Sequence, residues 1–276
     1  MKPEVPIRFD PPLWGLLLLV PLILVSCATA VSPSETPPPP SPLILADPSA
    51  RAIVTRLLAI QAGAGAQSNT LNPESIQSVA QGTISEELRS GKAQLAFDLG
   101  PPPEGFWAAQ LGWEGILVVV HEGNPVRSIH LVQLEDVFSG KVTTWSALGS
   151  GTGAIHLVSQ EQESPVRLAF DQSVLGVNPL SSEALLTPAS WAVTQAVRED
   201  PLSLGYLACI DWAPGLSALQ LEGVAPTGAA IQTGEYRLRI PVVAIARQQP
   251  RGTWASFLAW AQGRQGQESF RLLCQP

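Results

Sequence analysis

The clearest pattern of apolar and polar positions lies in the middle of the chain. Residues 116–120, Ile-Leu-Val-Val-Val, form an unbroken apolar run between Gly115 and the turn-forming series Glu122-Gly123-Asn124-Pro125. A short run without polar alternation predicts a strand buried on both faces. Leu131, Leu134, Val137 and Phe138 then recur at spacings of three and four, the apolar face of a short helix. Ser139-Gly140 supplies a residue able to take positive φ just past its end. Trp145 and Leu148 anchor a loop that closes at Gly149. The segment therefore reads strand, turn, helix, stop.

The same alternation repeats on either side. Leu43-Ile44-Leu45 predicts a short strand, Asp47-Pro48-Ser49 a turn, and Ile53, Leu57, Leu58 and Ile60 a helical apolar face. A helix around Ile84 and Leu88 ends at Ser90-Gly91, before a strand over 94–97 that Asp98 follows. Further strands are predicted over 154–158, 204–207 and 240–245, with Pro241 implying a sheet edge or a strand start. Helices are marked by Val166, Ala169 and Phe170, and by Trp191, Val193 and Val197. Trp254, Phe257, Leu258 and Ala261 mark one more, running into Gly266. Strands alternating with helices define an α/β chain.

Composition narrows the class. The 276 residues are 45% hydrophobic and 14% charged, with a formal net charge of −7. The Lys and Arg residues form no run, and an acidic surface repels a phosphate backbone, so no nucleic-acid partner is expected. Lys2 and Arg8 precede a mostly apolar stretch over 13–25, too short for a comfortable membrane span but suited to a secretory signal. The following Leu24-Val25-Ser26-Cys27 resembles a bacterial lipobox, which implies a signal peptide over 1–26 and a lipidated Cys27. Residues 31–42, VSPSETPPPPSP, lack backbone donors at each proline and complete an extended tether over 27–42. In an oxidising compartment the remaining Cys209 and Cys274 either pair or stay separate buried thiols.

Candidate chemistry is sparse. The N–H groups at the helix start beside Ser49 suit an anion, but spacing alone favours the plainer reading that Asp47 or Ser49 caps that helix. Asp98 stands at the end of a strand, where open α/β sheets place ligand groups and where turn residues also occur. Ser164 occupies an N-cap position, and Arg167 in the following turns offers paired donors for an oxyanion or a solvated charge. His121, His130 and His156 fall in no metal-ligand spacing, and the latter two read as ordinary partly buried residues. There is no Gly-x-Ser-x-Gly elbow, and Glu135-Asp136 and Glu161 with Glu163 read as solvated faces. No enzyme, metal or cofactor is expected.

Several pieces in chain order resemble the phosphate-binding proteins of ABC transporters. They are Gly91-Lys92-Ala93-Gln94-Leu95-Ala96, the Leu-x-x-Leu-x-x-Val-Phe-Ser-Gly-Lys-Val-Thr-x-Trp series over 131–145, and the helix start over 164–170. Asp200-Pro201-Leu202-Ser203-Leu204-Gly205-Tyr206, Ala225-Pro226-Thr227, Gly234-Glu235-Tyr236-Arg237-Leu238 and residues 257–267 follow. The resemblance implies a two-lobe periplasmic-binding-protein-like fold of type 2 with a double crossover hinge. One lobe would be 43–118 with 214–276, the other 119–213. It further implies a monomeric, membrane-tethered solute-binding lipoprotein that binds phosphate or a related oxyanion and serves an ABC permease. The implied ligand residues are Ser49, Gly82, Thr83, Asp98, Ser164 and Arg167. Pro48, Gln81 and Val166 stand where the family presents small or hydroxyl residues, and each lost hydrogen bond to a charged ligand costs about 1.5 to 3 kcal/mol. The alternative is a relative with altered or lost binding that uses the scaffold for sensing or protein contact.

Overall fold

The computed structural model describes residues 43–63, 71–79, 81–149 and 151–276. The signal sequence, Cys27 and the tether expected over 1–42 lie outside the described residues. Strand β1 (Leu43–Ala46) leads into helix α1 (Pro48–Gly63). Ile53, Val54, Leu57 and Leu58 of α1 are buried, while Ile60, expected on that face, is exposed. Strand β2 (Ile76–Ser78), which shows no apolar periodicity, pairs parallel with β1, and α2 (Gln81–Ser90) follows. Strand β3 (Ala93–Leu99) pairs parallel with β1 on its other side, and it runs longer than expected, so Asp98 lies within it.

Strand β4 (Trp107–His121) is the longest element of the sheet. Its apolar run is only the distal third; the proximal residues, with Gln110, Gly112 and Glu114 among them, hide the strand from a hydrophobicity reading. The chain then forms β5 (Ser128–Ile129), α3 (Leu131–Phe138), β6 (His156–Gln160), α4 (Pro165–Phe170) and β7 (Leu185–Thr187). Helix α5 (Ser190–Glu199) and strand β8 (Ser203–Ala208) complete the second lobe's main layer. Next come β9 (Leu216–Ala218), β10 (Gln220–Leu221), α6 (Gly228–Thr233), β11 (Arg239–Ala246), α7 (Gly252–Gln262) and α8 (Arg264–Leu273).

One sheet runs in the order β2-β1-β3-β11-β4-β8-β6-β7, with β9 also on β4 and a separate β10-β5 pair. The proximal half of β4 pairs antiparallel with β11, from Trp107↔Ala246 to Gly115↔Arg239. Its distal half pairs antiparallel with β8, from Ile116↔Ala208 to Val120↔Leu204. A single strand thus belongs to both lobes, and helices cover the sheet of each. The fold is the mixed α/β, two-lobe arrangement. Phe97, Trp254 and Phe257 pack together in the first lobe, with ring centroids 5.6 to 6.2 Å apart. Phe138, Phe170 and Tyr206 fill the second, where the rings of Phe170 and Tyr206 stack at 3.8 Å.

Two expectations are corrected. Pro241 sits in a central strand, because β11 lies between β3 and β4. It is tolerated there because pairing with β3 begins only at Val242, so the flank that would need its N–H is unpaired at that point. Its carbonyl still accepts from Gly100 N at 2.8 Å. The C-terminal helix does not run out at Gly266; it breaks at Gly263, and α8 continues to Leu273 with Gly266, Ser269 and Phe270 buried. Gly228 allows α6 to close on the end of α8: a Cβ there would lie 2.0 Å from the carbonyl oxygen of Arg271. A Cβ at Gly115 would lie 2.5 Å from Ile231, so α6 also sits directly on β4.

Cys209 and Cys274 form a disulfide with a Cα–Cα distance of 5.5 Å. Cys209 begins the turn 209–211 that follows β8, and Cys274 follows α8, so the bond joins the end of a second-lobe strand to the C-terminal helix of the first.

Candidate functional site

The C-terminal ends of the parallel strands β1, β2 and β3 and the starts of α1 and α2 lie at one edge of the first lobe. The ends of β6 and β7 and the starts of α4 and α5 occupy the matching edge of the second. Open α/β sheets gather ligand groups at such edges. A cavity of about 360 Å³ lies between them, lined by Asp47, Pro48, Ser49, Ser78 and Val79 on one side. Residues 160–161, 163–166 and 188–190 line the other.

The first wall is built around Asp47. Its backbone N–H donates to Phe97 O at 3.1 Å, which ties the end of β1 to β3. Pro48 opens α1 with a fixed φ and no donor. The next two N–H groups, of Ser49 and Ala50, both donate to Asp47 Oδ1 at 2.8 and 3.2 Å, so the carboxylate caps its own helix. The Ser49 hydroxyl donates to Asp211 Oδ2 at 2.8 Å. Asp98 is buried nearby, with Oδ1 accepting from its neighbour Leu99 N at 2.9 Å. Behind these, Glu114 on β4 is 2% exposed and accepts from Ile210 N at 2.7 Å.

Four carboxyl groups therefore crowd the junction of the first lobe with the hinge. Burial pushes Asp47 up to about 6, with the charge of Asp211 adding to it. Burial and the neighbouring Asp47 push Asp98 up to about 7. Burial pushes Glu114 up to about 8, and Asp211 is raised by the same cause.

The second wall is polar and self-bonded. Ser164 caps α4, accepting from Arg167 N at 3.4 Å while its hydroxyl donates to Gln160 Oε1 at 2.7 Å. Gln160 Nε2 donates to Ser190 Oγ and to Tyr206 O. Arg167 is 8% exposed, and its guanidinium turns into the lobe. Nε meets Asp171 Oδ2 at 2.6 Å, and one terminal nitrogen donates to Gln160 O at 2.8 Å and Ser159 Oγ at 3.3 Å.

The candidate residues thus fall into three groups. Ser49 and Ser164 face each other across the cavity. Gly82 and Thr83 stand in the first turn of α2, beyond the Ser78-Val79 lining, and Asp98 sits on β3 beside Asp47. Arg167 lies beneath the second wall, committed to internal partners. Glu161 and Glu163, read as a solvated face, are exposed yet line the cavity. Sequence reasoning missed Glu114 and Asp211. The usable signal for Glu114 was a lone charge at the mouth of an apolar strand. His130 and His156, read as partly buried, are exposed and bonded to Glu222 and Asp200 at 2.8 and 2.6 Å. Among the described residues no group of His, Cys, Asp and Glu has the arrangement of a metal site.

Comparison with known proteins agrees with this architecture. The sequence pattern of the PBP superfamily domain matches residues 82–265, well over half of the chain. The phosphate-binding protein PstS of Bacillus subtilis (strain 168) is 25% identical over 210 residues, covering 72% of this chain and 69% of that protein. A putative phosphate ABC transporter substrate-binding protein with bound phosphate from Clostridium perfringens superposes with a TM-score of 0.71 at 19% identity, over 84% of this chain and 98% of that one. An ABC-type phosphate transport receptor from Vibrio cholerae gives 0.64 at 19% identity, over 86% and 100%. At that identity the two structures speak for the fold alone. The two-lobe sheet hinged on β4, together with the match over residues 82–265, makes this chain a member of the PBP superfamily.

Proposed function

We propose that this chain is the solute-binding protein of an ABC importer and that it captures phosphate or a related small oxyanion between its lobes. The observation that carries the reading is the convergence of strand ends and helix starts from both lobes on one polar cavity of about 360 Å³. It occurs in a chain whose named relatives are phosphate-binding proteins. The role is binding rather than catalysis. The lobes expected from the sequence are 43–118 with 214–276 and 119–213. Pairing of β9 with residues 119–121 of β4 favours a return crossover later than 214, near 222–227. Ser49, Gly82, Thr83, Asp98 and Ser164 are the proposed ligand contacts, with Arg167 reaching the ligand only after leaving Asp171.

The export signal over 1–26, the lipidated Cys27 and the tether over 27–42 complete the proposal: the folded unit is held at the outer face of the membrane, beside its permease. Among the described residues no helix is long and apolar enough to cross a membrane. Cys27→Ser is expected to move the chain from the detergent phase to the aqueous phase in detergent-partition assays of expressing cells.

A second reading is favoured by one observation: Asp47, Glu161 and Glu163 line the cavity, and among the described residues no lysine or arginine does. A cleft of that sign suits an altered ligand or a role in sensing or protein contact. Calorimetry with phosphate, sulfate, molybdate and phosphorylated metabolites separates the two. The importer reading expects one saturable site for phosphate and a smaller radius of gyration on binding, as lobes close. Silence across the whole set removes it.

A further inference from the structure

We propose that Asp47 is an internal competitor for the ligand of this cleft, so that an oxyanion enters as Asp47 gives up its charge and binding takes up a proton. The inference rests on the oxyanion reading and names a residue that sets its affinity and pH dependence.

An oxyanion needs donors, and those at the start of α1 are already taken. Pro48 has no N–H, and the N–H groups of Ser49 and Ala50 are held by the Asp47 carboxylate. The Ser49 hydroxyl is held by the Asp211 carboxylate. Asp47 occupies the place at the start of a 16-residue helix where the dipole and free N–H groups favour an external anion. Two negative groups cannot share it: at close range in a partly desolvated cleft, like charges cost several kcal/mol.

The groups facing Asp47 are mostly of its own sign. Asp98 comes from β3 and Asp211 from the turn after β8, while Glu161 and Glu163 face it across the cavity. Glu114 of β4 lies close to Asp211, and Arg56 of α1 acts on Asp211 and Glu114. Protonation of Asp47 therefore relieves repulsion from these carboxylates. The burial that already raises Asp47 to about 6 and Asp98 to about 7 places this exchange near neutral pH. A solvent proton adds to one Asp47 oxygen and no other bond changes. The neutral carboxyl then donates through its O–H, and the Ser49 and Ala50 N–H groups become available to the anion.

The test is titration calorimetry of phosphate and of sulfate with the full chain, Asp47→Asn and Asp47→Ser, at pH 5 to 8. Both substitutions keep a good helix cap, and thermal melts verify folding. Sulfate does not titrate in this range, so its profile reports on the protein alone. Wild type is expected to lose about tenfold in affinity per pH unit above pH 6, with uptake of about one proton. At pH 8 the variants are expected to bind at least about tenfold more tightly, with a slope shallower by one proton. Variants that bind with the slope and affinity of wild type overturn the role of Asp47 and leave the oxyanion reading standing. If neither wild type nor variant binds any oxyanion across the range, that reading falls and this inference falls with it.

Discussion

Replacing Cys209 and Cys274 together by alanine is expected to lower the unfolding free energy by about 4 kcal/mol. The two cysteines are 65 residues apart, so their bond closes a long loop in the unfolded chain and removes much of its freedom. The closed loop includes β9, β10, α6, β11, α7 and all of α8, and with them the return path into the first lobe. Both cysteines are 4% exposed, so their replacement also leaves small voids beside Gly115 and Pro226. Urea unfolding of oxidised wild type, reduced wild type and the double alanine variant measures the effect. Both the reduced and the double-variant curves should shift to lower midpoints, the double variant's lower still by the cost of the voids. A midpoint unchanged by reduction would show that the bond constrains little. The turn 209–211 should loosen with the bond, because it holds Ile210 N on Glu114 and Asp211 on Ser49.

Stability is expected to fall as pH rises from 5 to 9, and Glu114→Gln is expected to flatten that slope. Asp47, Asp98 and Glu114 ionise in the unfolded chain near pH 4 but in the folded protein at about 6, 7 and 8. Each binds more protons folded than unfolded between those limits. Its stabilising contribution is complete below about pH 4 and is lost as pH climbs through the folded value. Glu114, 2% exposed, contributes the most, on the order of 2 to 5 kcal/mol across its window. The glutamine oxygen can still accept from Ile210 N, so whatever offset the amide introduces at pH 5, the difference between pH 5 and pH 9 should shrink. Chemical denaturation at four or five pH values reads it directly. A wild-type protein equally stable at pH 5 and pH 9 would mean that these carboxyls are solvated.

The two predictions meet at the same place in the molecule. Glu114 enters from the shared strand β4, and Asp211 and Cys209 enter from the end of β8. Hinge stability, carboxyl protonation and the Ser49 side of the cleft are therefore coupled, and substitutions at Glu114 and Asp211 should not act additively.

Local pattern reached far into the fold. Ile-Leu-Val-Val-Val at 116–120 marks a buried strand because alternation is absent, and Leu131, Leu134, Val137 and Phe138 mark a helix because one face must be apolar. Those signals are carried by consecutive side chains. They fail where an element's identity depends on what covers it. Residues 107–115 mix Trp113, Gln110 and Glu114 with glycines, and they form a strand because β11, α6 and α8 pack against them. Helix α8, with its polar composition, is a helix because Gly266, Ser269 and Phe270 fit a corner against α7 and β4. Pro241 is acceptable in a central strand because the partner on one flank begins one residue later, a matter of register between distant segments.

The cleft divides in the same way. By itself the sequence determined the alternation of strands and helices, the apolar faces, a cap at Asp47 or Ser49 and another at Ser164, and an inventory of donors including Ser49 and Arg167. Only the tertiary structure decided what those donors are bonded to. Ser49 meets Asp211 across 162 positions, and Ile210 meets Glu114 across 96. Arg167 turns inward because Asp171, one helical turn on, lies beneath the wall and not in the cleft. The physical reason is range: periodicity and capping are set by residues a few positions apart, whereas the charge state of a carboxyl depends on burial and on neighbours that the fold brings from elsewhere in the chain.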